Sequence, residues 1–208
     1  MRIVVFGAAG RTGTQIVERA LGHGHQVTAF THDTPLALTS PKLTTVVGDV
    51  RDFDAVAAAI EWQNAVAFAV SQGSGSGSDI HEAGMANVIH AMAAYDVYRL
   101  AAVSAAGAFA RTDKRMSLAF RAMIATTMRP VYDDLEAMER RIMASGLEWA
   151  IVRPVGLTDE PPTGQYRVSL DGSLLPKASR ISRADVASVV VKALETDTYL
   201  RRTVVVAD

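Results

Sequence analysis

The stretch MRIVVFGAAGRTGTQIV, Met1 to Val17, changes its hydrophobic period in the middle. Ile3-Val4-Val5-Phe6 is long enough for one buried strand and too short for a helix. The run enters Gly7, Gly10 and Gly13, after which Ile16, Val17, Ala20 and Leu21 recur at helical spacing. Strand, glycine turn and helix, in that order, form the setting in which a glycine pattern marks a dinucleotide phosphate site. Gly7 lets the chain turn sharply off the strand. Gly10 removes a Cβ that would obstruct a pyrophosphate, and Gly13 lets the helix pack closely. Free N–H groups and the positive pole at the helix start then face the phosphates.

Working outward, 208 residues predict one domain with a full core. A formal net charge of -1 argues against a nucleic-acid surface. The chain has no cysteine, which excludes disulfides, thiolate chemistry and cysteine metal sites. No apolar run approaches the roughly 18 residues of a membrane span, and Met1 leads directly into a strand without a charged-then-apolar leader. The expectation is a cytoplasmic protein with a small-molecule partner, as monomer or homodimer, and with no nucleic-acid or membrane partner.

The G-x-x-G-x-x-G spacing resembles the extended and atypical branches of the short-chain dehydrogenase/reductase superfamily. Gly22-His23-Gly24-His25 stops the first helix, and Gln26 to Phe30 reads as the second strand. The end of that strand faces the adenosine ribose in such folds; a carboxylate there selects NAD, whereas a 2′-phosphate needs a cation. Phe30, Thr31 and His32 occupy the position, with Asp33 just beyond and Arg11 in the glycine turn. The pattern favours NADP(H), and Asp33 keeps NAD(H) open. Leu43 to Val47 is the third strand, followed by Gly48-Asp49-Val50; the resemblance places Asp49 and Val50 beside the adenine. Asp52 is the expected cap of a helix over Phe53 to Ile60.

Ala65 to Val70 forms the fourth strand and opens into a Ser/Gly run, Ser71 to Ser78. Because a helix (Ile80 to Tyr95) and a strand (Leu100 to Ser104) follow, this run reads as a flap beside the cofactor rather than a domain linker. Superfamily reductases carry a Ser or Thr where Ser104 stands; the other reading is a buried serine bonded to backbone. The segment 111–130, with Arg111, Lys114, Arg115, Arg121 and Arg129 among methionines, reads as a helical cover closed by Pro130. A helix from Val131 to Ser145, capped by Gly146, carries the stripe Leu135, Met138 and Ile142 and the pair Glu136/Arg140. Ordinary members of the superfamily place Tyr-x-x-x-Lys on this helix, where lysine lowers the phenol pKa. Here the pentapeptide is Tyr132-Asp133-Asp134-Leu135-Glu136, without the lysine. Tyr132 is therefore either an acid or a packing residue.

Leu147 to Pro154 is the sixth strand. The string S-G-L-x-W-x-I-V-R-P and the following L-T-D-x-P-P-T-G-x-Y-x-V are similar to the NAD(P)H-binding atypical short-chain family. That family includes the NmrA-like proteins and the flavin reductase/biliverdin-IXβ reductase. The resemblance implies a Rossmann doubly wound parallel sheet with helices on both faces and a small substrate-side lobe at about 155–180. It also implies hydride transfer from NADPH to a flat conjugated acceptor such as a flavin, a quinone or a linear tetrapyrrole. NmrA-like relatives offer the alternative of a non-catalytic redox sensor acting through a protein partner. The implied cofactor-binding set is Gly7, Ala9, Gly10, Arg11, Thr12, Gly13, Thr31, His32, Asp49, Val50, Ser71, Ser104 and Pro154, with Ser104 and Tyr132 as catalytic candidates. Ser182 and Asp185 have capping-box spacing and open a last helix, Asp185 to Glu195, before a final strand, Thr203 to Ala207. The five histidines give no ligand constellation along the sequence, so no metal is expected.

Overall fold

In a computed structural model, which describes residues 1–33, 36–72, 79–109 and 117–208, the opening stretch folds as strand, turn and helix. β1 (Arg2–Phe6) is followed by α1 (Arg11–Gly22), β2 (Gln26–Thr31), β3 (Leu43–Val47), α2 (Phe53–Ile60) and β4 (Ala65–Phe68). The rhythm continues through α3 (Ile80–Ala94), β5 (Arg99–Val103), α4 (Leu118–Ala125), α5 (Arg129–Ala144) and β6 (Glu148–Pro154). The final section holds β7 (Gly156–Thr158), β8 (Arg167–Ser169), β9 (Arg180–Ser182), α6 (Arg183–Glu195) and β10 (Arg202–Ala207).

An eight-stranded sheet runs in the order β3-β2-β1-β4-β5-β6-β10-β8. Seven strands are parallel, and β8 alone pairs antiparallel, against β10. The central strands read as continuous apolar runs because both faces are covered. On one face Val4, Phe6, Val66 and Leu100 meet α2, α3 and α5; on the other Ile3, Val5, Ala65 and Ala67 meet α1 and α6. Strand order reverses about β1, which lies between β2 and β4, and an open α/β sheet holds its ligand at the carboxyl ends of the strands beside such a reversal.

Local chemistry explains most boundaries. Asp52 caps α2 by accepting from the amides of Asp54 and Ala55. Leu135, Met138 and Ile142 are buried on α5, and Arg140 pairs with Glu136 at 2.9 Å. Three details correct the expectations. Pro130 sits in the first turn of α5, where its missing N–H costs nothing, so it opens that helix rather than closing the segment before it. Ser145, not Gly146, is the C-cap of α5. Ser182 is the N-cap of α6, which therefore begins at Arg183. Within residues 155–180, β7 pairs with β9, while β8 extends the main sheet at its edge.

Candidate functional site

Directly after β1, Gly7 adopts a φ of +78°, and the amides of Gly7 and Ala8 both donate to the Phe30 carbonyl at 3.1 Å. A Cβ on Gly7 would stand 2.5 Å from the Ala69 carbonyl oxygen, so turn and strand end are pressed together. Gly13 is tighter still. Its Cβ would lie 2.1 Å from the Gly7 oxygen, so this glycine packs α1 against the turn itself rather than against the sheet. Gly10 is the N-cap of α1, and no side chain caps the helix; no acid sits in its first turn. The first amides and the positive pole of α1 are thus left for an anion.

That helix start opens into a cleft of about 490 Å³ lined by Gly7, Ala9, Gly10, Phe30, Thr31, His32, Asp33, Gly48, Asp49, Val50, Arg51, Val70, Ser71 and Ile80. The structure therefore gathers eight of the expected cofactor residues in one wall: Gly7, Ala9, Gly10, Thr31, His32, Asp49, Val50 and Ser71. Thr12 and Gly13 lie behind them in the first turn of α1. Gly48 has no room for a side chain beside the Phe30 ring, and Val50 is buried against Gly84, so this end of the cleft has an apolar floor. Asp49 is tied down by the Arg51 amide at 2.8 Å. Residues 73–78 of the expected flap, and Arg111, Lys114, Arg115 and Met116, lie outside the described residues.

The charges around the cleft are rearranged relative to the sequence reading. The Arg11 guanidinium turns away from the cleft and bonds Asp159 at 2.9 Å, where Arg183 also binds at 2.6 Å. It lines a second recess with Thr14, Gln15 and Pro161. Among the described residues the basic side chains lining the cleft are His32 and Arg51, the second paired with Asp79 at 3.2 Å and missed by sequence reasoning because it follows Asp49 in a turn rather than ending a strand. His32 lies 2.5 Å from Asp33 and 3.7 Å from Asp49. The hydrogen bond to Asp33, helped by the two negative charges, raises the His32 pKa above the usual imidazole value.

At the end of β5 the serine is held by a network. Ser104 is buried, and its hydroxyl donates to Glu139 Oε1 at 2.5 Å. Arg153 of β6 grips the same carboxylate through Nε at 2.9 Å and Nη2 at 2.5 Å. Glu139 is 0% exposed, and the Phe109 ring covers Arg153 with 5.1 Å from guanidinium to centroid. The Pro154 carbonyl is engaged by the Ala106 amide at 2.9 Å. With its hydrogen committed to Glu139, Ser104 has only lone pairs to offer a ligand. Tyr132 belongs to the core: its ring fills the space a Cβ on Gly107 would need, and burial pushes its phenol pKa up. Glu139 and Arg153 were not linked to Ser104 from the sequence because they stand 35 and 49 positions from it and only the fold brings the three together.

One reading of the histidines is corrected. His23 and His25 do belong to a constellation, because the fold brings Glu195 to both of them. It lies at the end of α6, apart from the residues that line the cleft. Among the described residues, no helix is long and apolar enough to cross a membrane.

The comparisons with known proteins agree with this architecture. A family profile described as NAD(P)H-binding matches residues 7–197. An uncharacterised chloroplastic protein of Arabidopsis thaliana is 31% identical over 206 residues, covering 93% of this chain and 71% of the relative. An uncharacterised sugar epimerase of Bacillus subtilis is 27% identical over 203 residues, covering 94% of this chain and 88% of its own. Among solved structures, a wide-type short-chain dehydrogenase/reductase from Veillonella parvula in complex with NADP superposes with a TM-score of 0.83 at 16% identity, covering 100% of this chain and 94% of the other. A suggested NADH-flavin reductase from Streptococcus pneumoniae gives 0.81 at 20% identity, covering 100% and 99%. The uncapped helix start, the glycine turn without room for side chains and the profile match lead to one assignment: the chain belongs to the NAD(P)H-binding family and has a Rossmann-like fold.

Proposed function

We propose that this protein is an NADPH-dependent reductase that passes a hydride to a flat conjugated acceptor of flavin, quinone or tetrapyrrole type. The observation that carries the reading is the state of its two candidate hydroxyls. Ser104 has given its hydrogen to Glu139, and Tyr132 is a buried phenol with a raised pKa and no lysine one turn later. Neither is set up to hand a proton to a carbonyl oxygen, which the usual dehydrogenase chemistry requires. A conjugated acceptor needs no such donor, because its charge is delocalised and water supplies the proton.

The dinucleotide, when bound, supplies the hydride. The protein's part is positioning. Gly7, Ala9 and Gly10 admit the pyrophosphate to the start of α1, and Asp49 and Val50 flank the adenine. Ser104, locked by Glu139 and Arg153, accepts from the carboxamide of the nicotinamide and so sets which ring face is presented. His32 and Arg51 supply positive charge for a 2′-phosphate, which is the basis for preferring NADPH; Asp33 and Asp49 moderate that preference without abolishing it. The suggested flavin-reductase activity of the Streptococcus pneumoniae neighbour is consistent with this chemistry.

The test is oxidation of NADPH and NADH, followed at the nicotinamide absorbance, with FMN, riboflavin, biliverdin and a small quinone as acceptors. A nucleotide sugar is assayed alongside for epimerisation. Turnover with a conjugated acceptor is expected. Tight dinucleotide binding without turnover would overturn the reductase reading in favour of a redox sensor. Conversion of the nucleotide sugar alone would place the protein with the epimerase relative.

A further inference from the structure

We infer that His23, His25 and Glu195 form a divalent-metal site of the Zn²⁺ class, on the far side of α1 from its glycine turn. His23 Nδ1 and His25 Nε2 lie 2.9 and 2.8 Å from the same atom, Glu195 Oε1. The three candidate ligand atoms all fall within 4.8 Å of one another. Two imidazoles and a carboxylate are a borderline donor set that suits zinc, with a fourth position left for water. With bonds of about 2.0–2.1 Å, tetrahedral ligands stand about 3.3 Å apart. The site therefore needs each imidazole to draw back from Glu195 by about half an ångström and the two imidazole nitrogens, within 4.8 Å of each other, to close to the same spacing.

The backbone holds the set together independently of any ion. Gly24, with φ at +86°, lets the chain reverse between the two histidines so that both rings reach one oxygen. The His23, Gly24 and His25 amides are all bonded back into α1, to Arg19, Leu21 and Ala20. Glu195 is the last residue of α6, so the negative poles of two helices meet here and add to its charge. His25 is buried, and its Nδ1 lies 3.2 Å from the Met1 ammonium, a donor, so a ring that ligates through Nε2 gives up this contact. Glu195 and the histidines are separated by some 170 positions, so a bound ion would staple α1, whose other end carries the phosphate turn, to α6.

Metal-stripped protein titrated with ZnCl₂ alone should bind one ion per chain by calorimetry. Saturation should raise the thermal midpoint by about 5 °C or more. Co²⁺ in place of Zn²⁺ should give the intense visible absorption of a four-coordinate site. His23→Ala alters an exposed side chain and should leave the apo fold intact while weakening zinc at least tenfold and erasing the Co²⁺ band. Glu195→Gln should do the same through loss of the anionic ligand. Zinc affinity unchanged in both variants would overturn the assignment, as would binding that is lost in His32→Gln and kept in His23→Ala.

Discussion

Arg153 is the residue whose replacement most directly tests the charge network that holds Ser104. Glu139 is fully buried and its carboxylate is met by Arg153 through both nitrogens and by the Ser104 hydroxyl. Arg153→Leu removes the countercharge and leaves a buried anion with one neutral partner, which costs about 3–5 kcal/mol. For a chain of this length each kcal/mol lowers the midpoint by about 2–4 °C, so a fall of about 6–20 °C is expected. Glu139→Leu strands the guanidinium instead, and a cost of similar size is expected. The double replacement removes both charges; it should cost only about 1–3 kcal/mol, mostly for the Ser104 hydroxyl left without an acceptor. The cycle therefore predicts a coupling of at least about 3 kcal/mol. Urea denaturation followed by fluorescence is a suitable assay, because Trp149 is buried on β6, the strand that carries Arg153, while Trp62 is exposed. Two single variants that each cost less than about 1 kcal/mol, and whose effects add, would refute a charge network here.

Three further outcomes are expected. Ser104→Ala should lower kcat about tenfold or more, with dinucleotide Kd within about twofold of wild type; an equal loss of both would remove its positioning role. His32→Gln should weaken NADPH more than NADH, while Arg11→Ala, whose side chain is bonded to Asp159, should shift both alike; the NADPH preference of the wild type should decline as pH rises through the elevated His32 pKa, read by binding titrations across pH 6–9. Asp134 on α5 caps α3 from outside, accepting from the His81 and Glu82 amides and from the His81 ring at 2.7 Å; desolvation opposes its charge, but these bonds prevail and hold its pKa below the usual value. A depressed carboxylate contributes stability above its unfolded pKa and loses it as pH falls through the folded value. Asp134→Asn should thus cost about 1–3 kcal/mol at neutral pH, and its denaturation midpoint should converge on wild type between about pH 5 and 2.

Local rules carried most of the fold. β1, β3 and α2 could be bounded to within a residue because each is a clean apolar run or periodic segment with a cap or turn beside it, as Asp52 shows. Tertiary pairing decided the places where the expectation slipped. Val70 is as apolar as the residues of β4 but has left the sheet to line the cleft. β8 has no sequence signal of its own; three residues, Arg167-Val168-Ser169, become a strand because β10 offers an open edge. Pro130 looks like a terminator and works as an initiator, since a first-turn residue needs no N–H partner.

The same division separates the two halves of the site. Its glycine-turn half is legible in contiguous residues, because only the spacing of glycines is needed to expose the first amides of α1. The half around Ser104 is assembled from side chains at the end of β5 and on α5 and β6, and there the partner decides the chemistry: a serine whose hydrogen is taken by Glu139 is an acceptor, not a donor. Sequence could single out Ser104 and could not say which way its hydrogen points. The charges behave alike. Arg11, in the glycine turn, is taken by Asp159 from 148 positions away, while His32 and Arg51 line the cleft in pairs with Asp33 and Asp79. The charge a glycine turn shows along the sequence is therefore not the charge its cleft receives, because carboxylates brought in by the fold reapportion it.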